Sequence, residues 1–148
     1  MHSMDPNFEE RIRASFALQT IMKTIGARIT RVSPGEVVIE LAYREDLTQQ
    51  HGFVHAGVIT AIVDSACGYA ALSLMPPDSG VLTVEYKVNF LSPAKGSTFS
   101  ATGRVLKPGR TLTVCAGDVV AVDDGKEKRV ATMLATMMRL KEKEDLGE

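Results

Sequence analysis

The sequence predicts an α+β domain in which a curved antiparallel sheet wraps around one long central helix, with an extra N-terminal helix. Three observations predict it. The eighteen-residue run Val58 to Met75 is almost wholly apolar. Two β-rich segments precede that run and four follow it, with no repeat or linker between them. A helix apolar on all sides must be covered on most of them, and an enveloping sheet does so within one small domain. A chain of 148 residues, 45% hydrophobic and 24% charged, suffices for one domain with a real core. That domain is expected over 5–140, with 1–4 a disordered or appended start and 141–148 a charged, frayed tail.

Each element has its own signal. Pro6 to Ile25 carries Phe8, Ile12, Phe16, Leu18, Ile21, Met22 and Ile25 at helical spacing, with Asp5 as its cap. Gly26 breaks that helix. Ala27–Val32 and Glu36–Tyr43 flank Ser33-Pro34-Gly35 and read as a hairpin. A polar loop, Arg44 to Val54, leads to the central helix, which Pro76-Pro77 ends. Leu82, Val84, Tyr86, Val88 and Phe90 then alternate with polar residues, the period of a strand. Phe99–Leu106, Thr111–Val122 and Lys128–Leu140 are three more β segments, divided by Lys107-Pro108-Gly109-Arg110 and Asp123-Asp124-Gly125. Gly57, Ala61, Ala66, Gly68, Ala70 and Ala71 keep the central helix narrow, so the sheet can approach closely.

Composition excludes several function classes. A net charge of −1 and a pI of about 6.3 leave no nucleic-acid footprint and no polybasic membrane patch, though a local basic pocket for a phosphorylated ligand remains compatible. Cys67 and Cys115 show no metal or redox spacing and suit a reducing cytoplasm. The acidic start lacks the basic and apolar regions of a secretory signal. Although the apolar run is long enough to raise the membrane question, it contains Asp64, Ser65, Gly68 and Ser73, so a core helix is expected.

Asp64 is the only carboxylate in that run. Burying it ionised is costly, so it must be paired, hydrogen-bonded, protonated or required by chemistry. His55-Ala56-Gly57 opens the run, nine residues before Asp64, and Gln49 lies six residues before His55. With Thr83-Val84-Glu85-Tyr86-Lys87-Val88-Asn89-Phe90-Leu91-Ser92-Pro93-Ala94 and Gly109-Arg110-Thr111, this pattern resembles the hotdog-fold acyl-CoA thioesterases, in their phenylacetic-acid-degradation-type branch. The family motif is His-Gly-Gly followed by Asp or Glu nine residues after the His, so Ala56 is a departure.

The resemblance implies hydrolysis of an acyl-CoA to free acid and coenzyme A, with no cofactor beyond the coenzyme A of the substrate. Thioester hydrolysis needs donors for the developing oxyanion and a base or nucleophile. The first backbone N–H groups of the helix, on Ala56 and Gly57, are natural donors. Asp64 would activate water or attack the carbonyl itself. Gln49 would orient the water or the carbonyl, His55 would set the helix entry, and Thr83 would hold the water near the carboxylate. Lys107, Gly109 and Arg110 would meet the coenzyme A phosphates, with Gly68 also on the substrate side. Along one helix, Asp64 and the helix start are separated by roughly 10–12 Å, too far to act on one carbonyl. The two groups should therefore come from different subunits of a homodimer, which the family often doubles into a tetramer.

Plainer roles exist for each residue. Asp64 could be capped by backbone N–H groups, His55 could serve only the helix entry, and the Lys107–Arg110 segment could be a solvated turn. His51 and His55 lack the Glu of a zinc-protease motif, so no metal site is expected. Ser65 and Ser92 have no partnered base in view. The rival function is a non-catalytic acyl-CoA binding or regulatory protein. A hotdog hydratase fits less well, since no His follows Asp64 at the short spacing that chemistry uses.

Overall fold

The computed structural model describes residues 1–141. Six strands form one antiparallel sheet: β1 (Arg28–Ser33), β2 (Glu36–Ala42), β3 (Ser79–Phe90), β4 (Thr98–Lys107), β5 (Leu112–Asp123) and β6 (Lys126–Lys141). Their order is β1-β2-β4-β5-β6-β3, which leaves β1 and β3 at the edges. Helix α3 (Ala56–Leu72) packs against β2, β4, β5, β6 and β3, as the enveloping sheet requires. The expected tail lies outside the described residues from 142 onward, whereas Lys141 pairs with Ser79 and closes β6.

The approach of sheet to helix is set as much by the sheet as by the helix. Gly103 and Gly117 lie opposite each other on β4 and β5. A Cβ on Gly103 would sit 2.3 Å from the carbonyl carbon of Ala66, and one on Gly117 would sit 2.6 Å from the Val63 side chain. The helix backbone thus occupies the place of two missing side chains. Around it, Ile59, Ile62, Val63, Ala66 and Cys67 are buried against Val37, Ile39, Phe99, Ala101 and Val119.

As expected, α3 is covered on most of its sides, and one side stays open. Ala56 and Gly57 are exposed, and Thr60, Ala61, Asp64 and Ser65 are only half-buried, forming one open stripe. Strand β3 beside it exposes Leu82, Val84, Tyr86 and Phe90. A single subunit therefore leaves an apolar edge and an open helix face side by side.

The N-terminal helix is two helices, α1 (Phe8–Leu18) and α2 (Thr20–Ile25), broken at Gln19, whose ψ of 102° is extended. Asp5 is not the cap residue, a position held by Asn7 without a side-chain bond. Asp5 instead accepts from the Asn7 N–H at 2.8 Å and pairs with Arg11 at 3.1 Å. The Arg11 guanidinium donates to the carbonyls of Leu72, Met75 and Pro76, satisfying the C-terminal end of α3 with a cation where the helix dipole is negative.

Candidate active site

Asp64 projects from the open stripe of α3 toward the start of β3, where Thr83 donates its hydroxyl to Asp64 Oδ1 at 2.7 Å. Thr83 pairs with Met137 just before a register shift between Thr83 and Glu85, and its exposed hydroxyl reaches the helix at Asp64. Partial burial pushes the Asp64 carboxyl above its ordinary range, and the Thr83 hydrogen bond opposes that rise by favouring the ionised form. Oδ2 accepts no hydrogen bond among the described residues, leaving it available to water or substrate.

Both residues line a cavity of about 460 Å³ that also includes Gly68, Tyr69, Leu82 and Met137. A Cβ on Gly68 would meet nothing closer than the Met137 sulfur at 4.0 Å, so the glycine there keeps space open rather than permitting tight packing. The far wall comes from α1 and the break after it. Ser15 and Gln19 reach the Tyr69 hydroxyl at 3.2 and 2.9 Å, a polar group that sequence reasoning missed. Its only signal was a helical pattern with polar residues on the side facing the central helix.

The other half of the expected site lies at the start of α3. His55 is its N-cap, and the imidazole Nδ1 accepts from the Gly57 N–H at 2.8 Å, which requires that nitrogen to carry no proton. The N–H groups of Val58 and Ile59 bond to the His55 carbonyl. Of the two donors expected from sequence, Gly57 is therefore occupied, and Ala56 alone has no hydrogen-bond partner among the described residues. Gln49 holds its loop through Oε1, which accepts from the N–H groups of His51 and Phe53 at 2.7 and 3.2 Å, fixing the side chain while its amide NH₂ has no partner among the described residues. Gln49 and Ala56 line a second cavity, about 250 Å³, with Phe53, Ile59, Phe90 and Pro93. Within one chain, Asp64 and Thr83 belong to one cavity, while Gln49 and Ala56 belong to another.

The turn holding Lys107, Gly109 and Arg110 enters neither cavity. Gly109 and Arg110 lie beside Ala71, Leu74 and Met75, at the opposite end of α3 from Ala56. A Cβ on Gly109 would fall 1.8 Å from the Leu112 carbonyl oxygen, so this glycine is required by the turn itself. Cys67 and Cys115 are free and buried, and burial pushes the Cys115 thiol up to about 12, which keeps it protonated and unreactive. Among the described residues no group of His, Cys, Asp and Glu could hold a metal ion, and no helix is long and apolar enough to cross a membrane.

Comparison with known proteins follows the same lines. Residues 51–128, which carry both cavities' helix, match the thioesterase superfamily. Acyl-coenzyme A thioesterase 13 of Homo sapiens is 33% identical over 129 residues, spanning 85% of this chain and 91% of that protein. A thioesterase family protein from Silicibacter pomeroyi, solved by crystallography, is 52% identical with a TM-score of 0.90, covering 90% of this chain and 98% of its own. The E. coli PaaI protein of the phenylacetic acid degradation operon shares the fold at 21% identity, with a TM-score of 0.82 over 93% of this chain and 96% of that one.

Proposed function

Given that this chain belongs to the thioesterase superfamily, with the hotdog fold, and is a thioester hydrolase, we propose that it cleaves acyl-CoA at a site built from two subunits. Asp64 and Thr83 come from one subunit, Ala56 and Gln49 from the other. The separation of these pairs into two cavities of one chain is the observation that carries the reading. The exposed apolar edge of β3 beside the open face of α3 supports pairing of two copies there.

In this mechanism the Ala56 N–H, at the positive end of the α3 dipole, holds the thioester carbonyl oxygen as it gains charge. The Gln49 amide, anchored through its own loop, orients the carbonyl or the water. Asp64 takes the proton of a water that attacks the carbonyl carbon, or attacks directly to form an anhydride that water then opens. The C–S bond breaks, coenzyme A leaves as the thiolate, and a proton restores its thiol. Thr83 holds the Asp64 carboxylate in position and favours its ionised form. The upward shift caused by burial makes Asp64 a stronger base than an exposed carboxylate, provided the pH lies above its pKa. Two free, buried thiols accord with a cytoplasmic location.

Release of coenzyme A thiol from short, medium, long and aryl acyl-CoA thioesters tests the reading. Wild type should release thiol, and Asp64→Asn should lose at least about 10²-fold in kcat. Binding of acyl-CoA without release would instead mark a non-catalytic acyl-CoA-binding protein, and an unchanged rate in Asp64→Asn would remove the carboxylate from the chemistry.

A further inference from the structure

We propose that the phosphates of the coenzyme A moiety are held by Lys126 and Lys128 on the β5–β6 hairpin, with Lys95 beside them. The inference rests on the acyl-CoA reading above and locates the anionic end of that substrate. Three observations lead to it. First, the cavity containing Ala56 and Gln49 shares Phe53 and Pro93 with a neighbouring cavity of about 490 Å³. The two adjoin across these residues, so the hairpin lies next to the cavity that holds the carbonyl-binding N–H. Second, that neighbouring cavity is lined by Lys95, Lys126 and Lys128. Lys126 and Lys128 are two apart on one strand and so project from the same face, like a pair of fingers. Third, neither makes an ion pair or hydrogen bond among the described residues, whereas Lys95 lies 3.9 Å from Asp123.

The acidic residues at this place shape the reading rather than cancel it. Asp123 and Glu127 also line the cavity. Asp123 lies 3.9 Å from Lys95 and opposite Lys126 in the β5–β6 register, and with Glu127 it sets two carboxylates against the three lysines of the lining. The lining thus keeps an excess of positive charge for a phosphate or pyrophosphate.

The test compares thioesters and ligands with and without the phosphate-bearing nucleotide. In wild type, kcat/KM for an acyl-CoA should exceed that for the corresponding acyl-pantetheine, and coenzyme A should bind more tightly than pantetheine in calorimetric titration. Lys126→Glu/Lys128→Glu should reduce both ratios by about tenfold, since exposed charge contacts are individually weak and act here as a pair. The milder Lys126→Ala/Lys128→Ala should reduce them by less, in the same direction. Ratios unmoved by the lysine substitutions, or ratios that collapse only in Lys107→Ala/Arg110→Ala, would overturn the proposal while leaving thioester hydrolysis intact. A wild type that binds coenzyme A through these lysines but releases no thiol would sustain this site and remove the thioesterase reading.

Discussion

Thr83 and Asp64 form the one side-chain contact on which the acid–base chemistry depends, and the two effects on the carboxyl have opposite signs. Burial raises its pKa and the Thr83 hydrogen bond lowers it, with burial the larger. Thr83→Ala removes the lowering contribution, so the acid limb of the kcat profile should move to higher pH. A limb that stays in place would show that Thr83 does not touch the titrating group. Linkage gives a second expectation. A folded-state pKa raised above its unfolded value means that the folded chain holds its proton longer, so this site's contribution is fully present below the unfolded pKa and lost as pH rises through the folded one. At neutral pH the ionised Asp64 therefore costs stability, and Asp64→Asn, whose carbonyl can still accept from Thr83, should melt at the same temperature or higher. A lower Tm in thermal denaturation would contradict this. The motif spacing from His55 to Asp64 was legible in the sequence because one helix carries both ends of it. That the Gly57 N–H is consumed by the His55 ring was not, because it depends on a side-chain rotation that leaves no trace in spacing.

At the level of elements, the helix and strands follow from period and punctuation, and their observed bounds differ from the expected ones by only a few residues. The exceptions have physical causes. The N-terminal helix breaks at Gln19, whose backbone is extended and whose side-chain amide donates to the Tyr69 hydroxyl. The close approach of sheet and helix was expected from small residues on α3, yet the glycines on β4 and β5 are the tighter constraint. Gly103→Ala should therefore cost on the order of 3 kcal/mol, because the new methyl meets backbone that cannot yield as a side chain would. Gly68→Ala, with nothing nearer than 4.0 Å, should leave stability almost unchanged and act instead on acyl-group fit. Chemical denaturation of the pair separates the two roles, and equal losses would refute the distinction.

For the whole molecule, the open stripe on α3 and the exposed edge of β3 lie side by side, and in the proposed dimer a second copy would place its helix start against the Asp64 cavity. A single sequence carries this indirectly, through a distance along one helix too long for two groups to share a carbonyl. The proposed place of the coenzyme A phosphates was not legible, because it depends on which cavities adjoin. The shared site is most directly tested by mixing two inactive variants. Ala56→Pro deletes the one unpaired N–H at a position where proline suits a helix, and His55, with φ −58° and ψ 138°, already has the backbone that a following proline requires. Asp64→Asn removes the base. Each alone should lose at least about 10²-fold in kcat. After the two proteins are dissociated and reassociated together, half of the dimers are mixed and each has one intact site, so activity should return to about a quarter of wild type. No recovery, despite mixed dimers demonstrated by mass, would mean that each chain supplies both groups to its own site and would contradict the account.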